Sequence, residues 1–302
     1  MASAKLTDRA SFGIFCIAVA FSACGQRHPP AVTPAASARE GLIDAVKAFQ
    51  QTLGVEPTGN FLRYSETGTA ARCYFTGILE LPGSYRGLQL REESKAECAA
   101  REDRYDVFFY PVEVVASGRA PITPALADGT VERLLVVVPH EDFHNQSEAR
   151  GSPPEMAEAA ATLAGFLTAT EFAKVEYGEG SGQFQRLSRD AGLFRQKAEV
   201  VNNYYDRLSA LYRSFQQHAI SQESALSTKA ELFSLLQHDC SAITPEPASF
   251  NKCPAALNNA GLAFDRTYTQ RFAEMFDVYL QSGEDTRATI AQLKRLLSRA
   301  PK

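Results

Sequence analysis

A basic surplus is missing from this chain. Its 31 Lys and Arg stand against 35 Asp and Glu, a formal net charge of −4, with a pI near 5.8. Phosphate backbones are held by positive fields, so the balance argues against a nucleic-acid partner. Past the N-terminal segment, no stretch approaches the roughly 18 consecutive apolar residues of a membrane-spanning helix. No two cysteines have the Cys-x-x-Cys spacing of thiolate metal sites. There is also no internal repeat, and no run of one charge long enough to serve as an interaction tail. Tryptophan is absent too, without a functional consequence that can be derived. What remains is ordinary globular composition, 45% hydrophobic and 22% charged, enough chain for one large domain or two small ones.

The N-terminus has the order of a secretory signal. Lys5 and Arg9 precede an apolar stretch from Phe12 to Phe21, followed by Ser22-Ala23-Cys24-Gly25. Phe21-Ser22-Ala23-Cys24 resembles the bacterial lipobox, with Phe in place of the usual Leu. In a lipobox, small residues precede a cysteine that is acylated and becomes the new N-terminus. Acyl chains would give the membrane anchoring that one short apolar segment cannot. Gly25, rather than Asp, resembles the sorting pattern of outer-membrane lipoproteins. The expectation is a signal peptide over 1–23, lipidation at Cys24 and a flexible tether over 24–37. A single domain would follow over 38–302, lipid-anchored in a bacterial cell envelope at the outer membrane and facing the periplasm. Cys16 leaves with the signal, so Cys73, Cys98, Cys240 and Cys253 remain. An exported protein permits disulfides, and sequence-near pairing (Cys73 with Cys98, Cys240 with Cys253) is preferred among three connectivities.

Apolar spacing predicts a helix over 38–53, β-branched and aromatic content a strand over 73–81 ending at Pro82-Gly83, and richness in Ala, Glu and Lys a helix over 92–104. A strand follows over 105–115, with Pro111 at an edge or bulge, then a loop over 118–129. Helical patterns cover 155–177, 187–218, 221–236, 253–281 and 285–299. The fold class is mainly α with a small β-sheet, α+β.

Chemistry concentrates at His140-Glu141-Asp142-Phe143-His144. Residues four apart share a helix face, so two imidazoles can aim at one ion while Glu141 lies close enough to take a proton from a water. Zn2+ suits that ligand set, with three protein ligands and an open position. With five His in 302 residues, chance supplies about 0.006 such patterns per chain. The apolar run Leu134-Leu135-Val136-Val137-Val138 would bury the segment beside a core. Pro139 fits best in a first helical turn, which would make the preceding valines a separate piece. For the third ligand Glu148 sits too close, and Glu155 is explained by its place in a first turn. Glu158 is chosen. It lies deeper in a helix whose Ala157 and Ala159–Ala161 permit close approach, and Thr162, one turn on, could hydrogen-bond a ligand from behind.

These residues resemble a proteobacterial "putative aminopeptidase" family of lipoprotein-like proteins. His140 to Gln146 matches its HELAHQ-type motif, and Ala157 to Thr162 its NESFAT segment. Tyr85-Arg86-Gly87, Tyr105-Asp106-Val107 and the stretch from Leu257 through Tyr268 also agree, so the resemblance spans about residues 60 to 298. Asp142 stands where the family has an apolar residue, and 116–129 hardly follows the family pattern. The resemblance implies a zincin-like helical metallopeptidase core and an aminopeptidase acting on peptides. Asn258, Asn259 and Tyr268 fall in a family-like helix, and Tyr268 could donate to a developing oxyanion; equally, the Asn pair could be buried hydrogen-bonding glue. His218 and His238 read as solvated surface residues. The rival class is a non-catalytic envelope lipoprotein that retains a structural or partner-binding metal site.

Overall fold

Thr130, Ser181, Ser221, Asn258 and Asp285 each accept with a side-chain oxygen from the backbone N–H three residues on, and each starts a helix. These caps punctuate a mostly helical chain. The computed structural model describes residues 34–65, 71–113 and 117–300, with only the backbone of 34–38. Residues 34–302 cluster as one unit. The expected signal segment, Cys16, Cys24 and most of the tether lie outside the described residues.

The elements in order are α1 (Pro34–Thr52), β1 (Arg72–Gly77), a 3₁₀ turn (Tyr85–Gly87), β2 (Gln89–Glu92), α2 (Lys95–Ala99), β3 (Tyr105–Tyr110) and α3 (Pro124–Asp128). Then come α4 (Val131–His144), α5 (Pro154–Tyr177), α6 (Gly182–Gln216), α7 (Gln222–Ser241), α8 (Asn259–Thr269), α9 (Phe272–Gln281) and α10 (Thr286–Arg299). The strands form one antiparallel sheet in the order β2-β1-β3, with Tyr74 opposite Phe108 and Phe75 opposite Val107. The α+β expectation holds. No helix among the described residues is long and apolar enough to cross a membrane.

The main core lies between α4 and α5. Leu134, Leu135, Val138 and Phe143 of the first are fully buried against Ala159, Ala160, Ala161 and Leu163 of the second. Alanine is both the strongest helix former and the smallest side chain that keeps a helix stable, which suits a buried helix in close contact. The 35-residue α6 spans about 50 Å and joins this core to a second one. There Val201, Tyr204, Leu208 and Tyr212 pack on Leu232, Phe233 and Leu236 of α7. Two disulfides, Cys73–Cys98 and Cys240–Cys253, match the sequence-near pairing. They tie β1 to α2, and the end of α7 to the loop before α8.

Several boundaries differ from the sequence expectations, each for a local reason. Helix α1 begins at Pro34, so residues 34–37 open a helix rather than close the tether. Pro139 lies inside α4, not in its first turn; burial of Val138 and Phe143 on either side outweighs a proline cost of about 3 kcal/mol. The strand over 105–115 ends at Tyr110, because Pro111 has no N–H to continue the ladder; residues 114 and 115 lie outside the described residues. The first strand also stops early, at Gly77. The helix over 92–104 contracts to α2 behind a Ser94–Glu97 capping box, and the preceding β2 is all exposed, so no alternation announced it. The loop over 118–129 contains α3, with Thr123 as cap and Pro124 in the first position. The helix over 253–281 is two. Pro254 disfavours helix at Cys253, so α8 starts only after Asn258. Asn202 donates to the Thr269 carbonyl, removing an acceptor that a continuous helix would need.

Candidate active site

His140 and His144 occupy the last two turns of α4, and Glu158 the second turn of α5. The helices run antiparallel: His144 meets Glu158, His140 meets Thr162, and Val136 meets Gly165. Gly165 sets the spacing, because a Cβ there would sit 2.7 Å from the Val136 carbonyl oxygen and 3.3 Å from the His140 Cβ. Glycine at this turn lets the donor-bearing faces close on one another.

The three donor atoms form a small triangle. His140 Nε2 and His144 Nε2 are 3.1 Å apart, while Glu158 Oε2 lies 3.0 Å from His144 and 3.6 Å from His140. Tetrahedral zinc with bonds of about 2.0–2.1 Å separates its ligand atoms by about 3.3 Å. The donor set therefore fits zinc in both chemistry and spacing. Burial works to raise the Glu158 carboxyl, but the two imidazoles outweigh it and hold the group well below the usual carboxylate range. Burial pushes His140 down, while the neighbouring Glu158 carries His144 up against its own burial. Thr162 Oγ1 stands 3.5 Å from His140 Nδ1, at the outer limit of a hydrogen bond. Among the described residues one other grouping has metal-ligand atoms this close, Cys73, Glu93 and Cys98. Its sulfurs are joined in a disulfide and Glu93 is held by Arg101, so it has no free thiolate to offer.

Glu141 is close to the triangle without belonging to it. Burial raises its carboxyl to about 7, and its side chain has no hydrogen-bond partner among the described residues. Asp142 points the other way, being about 200° of helical rotation from each histidine. It is fully buried and accepts from Lys47 at 2.8 Å, Asn60 at 3.0 Å, Gln50 and Thr58. The acidic residue that departs from the family pattern thus ties α4 to α1 and intrudes on nothing at the donor triangle. Asn60 also accepts from the Ala120 N–H, which attaches the 117–123 segment to the same network.

A family model described as "Putative aminopeptidase" matches residues 84–302. The chain belongs to that family. No curated protein and no solved structure matches it. The match takes in the HExxH segment, Glu158 and Tyr268, and the family's description makes the chain peptidase-like.

Two cavities meet at His140 of this member's donor triangle. An outer one of about 290 Å³ is lined by Arg72, Tyr74, Tyr85, Arg86, His144 and Glu158 among others. An inner one of about 120 Å³ has Arg133, Phe166, Phe194, Lys197 and Phe250 in its wall. His140, Glu141, Tyr110, Phe264 and Tyr268 border both. Tyr268 lies beside His140, ring centroids 6.4 Å apart, and burial keeps its hydroxyl protonated by raising it well above the usual range. Tyr110 is likewise pushed up by burial, to about 12. Asn258 and Asn259 do not reach the cleft. They bond Val107, Ile78, Asp106 and Tyr212, as glue between α8, the sheet and α6. His238 is exposed. His218, also exposed, sits just past α6 with φ of 56°. Sequence reasoning passed over Tyr110, Arg133 and Arg72; only Tyr85-Arg86 had a signal, in a segment already noted for its resemblance.

Proposed function

We propose that the chain is a zinc-dependent peptidase, probed best by its donor triangle. His140, His144 and Glu158 hold the ion, and Glu141 is the general base. The observation that carries this is the 3.0–3.6 Å spacing of three donors next to a half-buried carboxylate with no partner of its own among the described residues. Zinc at that position supplies Lewis-acid polarisation of the scissile carbonyl and acidifies water. Glu141 takes the proton from the attacking water and delivers it to the leaving amine. Tyr268, protonated and without a hydrogen-bond partner among the described residues, donates to the developing oxyanion from beside His140. Thr162 steadies the His140 ring. The two cavities receive the peptide on either side of the scissile bond, and the family description supports an aminopeptidase among the possible cleavage modes.

The test is metal content beside hydrolysis. The purified full chain is expected to hold about one zinc, and His144→Ala to hold close to none by elemental analysis. Unchanged zinc in His144→Ala would remove the ligand assignment. A wild type that binds no zinc would remove the enzyme reading altogether. Zinc binding without cleavage of any peptide in a broad library would favour a structural or partner-binding metal site.

The envelope setting belongs to the same proposal. Cys24, outside the described residues, is the acylation site, and the lipid holds the peptidase domain at the outer membrane facing the periplasm. Cys24→Ser should abolish both acylation, read by mass spectrometry, and partitioning into detergent. Unchanged partitioning would refute the anchor.

A further inference from the structure

Charge in the outer cavity has a direction. Arg72 opens β1 and Arg86 sits on the 3₁₀ turn, and both line the same cavity as His140, His144, Glu141 and Glu158. Neither arginine forms an ion pair among the described residues. Arg72 reaches only the Tyr74 hydroxyl, at 3.4 Å, and Arg86 lies beside Tyr85, whose hydroxyl it works to lower against burial. Other cations near the site are neutralised: Arg133 by Glu113 at 2.8 Å, and Lys197 by Asp265 at 2.8 Å. The carboxylates are committed as well. Glu158 serves both histidines, Glu113 and Asp265 serve those inner cations, and Glu141 is the proposed base. Among the described residues lining the two cavities, no carboxylate is left over to hold a substrate ammonium, while two guanidinium groups are left over to hold a carboxylate.

Resting on the zinc-peptidase reading, we propose that Arg72 and Arg86 bind a carboxylate of the peptide. The enzyme is then selective for anionic peptides. Guanidinium groups suit this task because their forked donors match carboxylate geometry. The carboxylate is the peptide's C-terminus or an Asp or Glu side chain.

Three tripeptides separate those sources: Leu-Gly-Gln as the free acid, Leu-Gly-Glu as the amide, and Leu-Gly-Gln as the amide, which carries no carboxylate. A hydrogen bond to a charged group is worth about tenfold or more in affinity. At least one anionic peptide is expected to show a KM about tenfold or more below that of the neutral amide. In Arg72→Gln/Arg86→Gln the ratio should fall to near one, and Arg72→Lys/Arg86→Lys should restore part of it. Equal KM for all three peptides, or a double variant that keeps the ratio, would overturn the proposal while leaving the peptidase reading intact. If none of the three is cleaved, calorimetric titration of zinc-loaded Glu141→Gln with the same peptides still decides. The same ranking of Kd, lost with the two arginines, supports the proposal, and equal Kd overturns it.

Discussion

Glu141→Gln should keep its zinc and lose peptide hydrolysis by about 10²- to 10⁴-fold, the contribution of a positioned general base. The substitution preserves shape and removes only the ability to accept a proton. Zinc should stay because the donors are His140, His144 and Glu158, with Glu141 outside their triangle. Its carboxylate also holds no hydrogen bond among the described residues, so the amide disrupts no partner. Steady-state kcat/KM on a cleaved peptide, measured beside zinc content, checks both halves. Hydrolysis within about threefold of wild type would remove Glu141 from the reaction; lost zinc would make it a ligand instead.

The second large effect is on stability. Asp142→Ala should cost about 3–5 kcal/mol, because it strands the Lys47 ammonium in a buried site. The pair is 2.8 Å apart, with side chains 11% and 0% exposed, and three further donors converge on the same carboxylate. Thermal melting should fall by about 6–15 °C. Asp142→Leu with Lys47→Met should recover much of the loss, since removing both charges leaves neither unpaired. An Asp142→Ala protein within about 1 kcal/mol of wild type by denaturant titration would show the network to be energetically idle.

These expectations also mark what local sequence could and could not convey. The histidines, Glu141 and Glu158 were legible because their relations are set by the fixed spacing of a helix and by the small residues that let its neighbour approach. Even the outward turn of Asp142 follows from that spacing. Its partners do not, since Lys47, Gln50, Thr58 and Asn60 are 82 to 95 residues away and nothing in their own neighbourhoods points to it. Arg72, Arg86 and Tyr110 reach the cleft through strand order and a 3₁₀ turn, which are products of tertiary packing. Pro139 failed the other way: its intrinsic preference was clear, and core burial overrode it. The Cys73–Cys98 and Cys240–Cys253 pairs were readable because each closes a short loop.

The Asp142 network also bears on how this chain should be cut for study. The family match starts at residue 84, whereas every residue that satisfies the Asp142 carboxylate lies before it. A fragment trimmed to the matched region would keep all three proposed zinc ligands and Glu141. It would still leave a bare anion on the back of the helix that carries two of those ligands. Homology boundaries and the smallest self-sufficient polypeptide therefore diverge here. The first helix is better regarded as an internal counter-ion of the half that carries the donor triangle than as a dispensable leader.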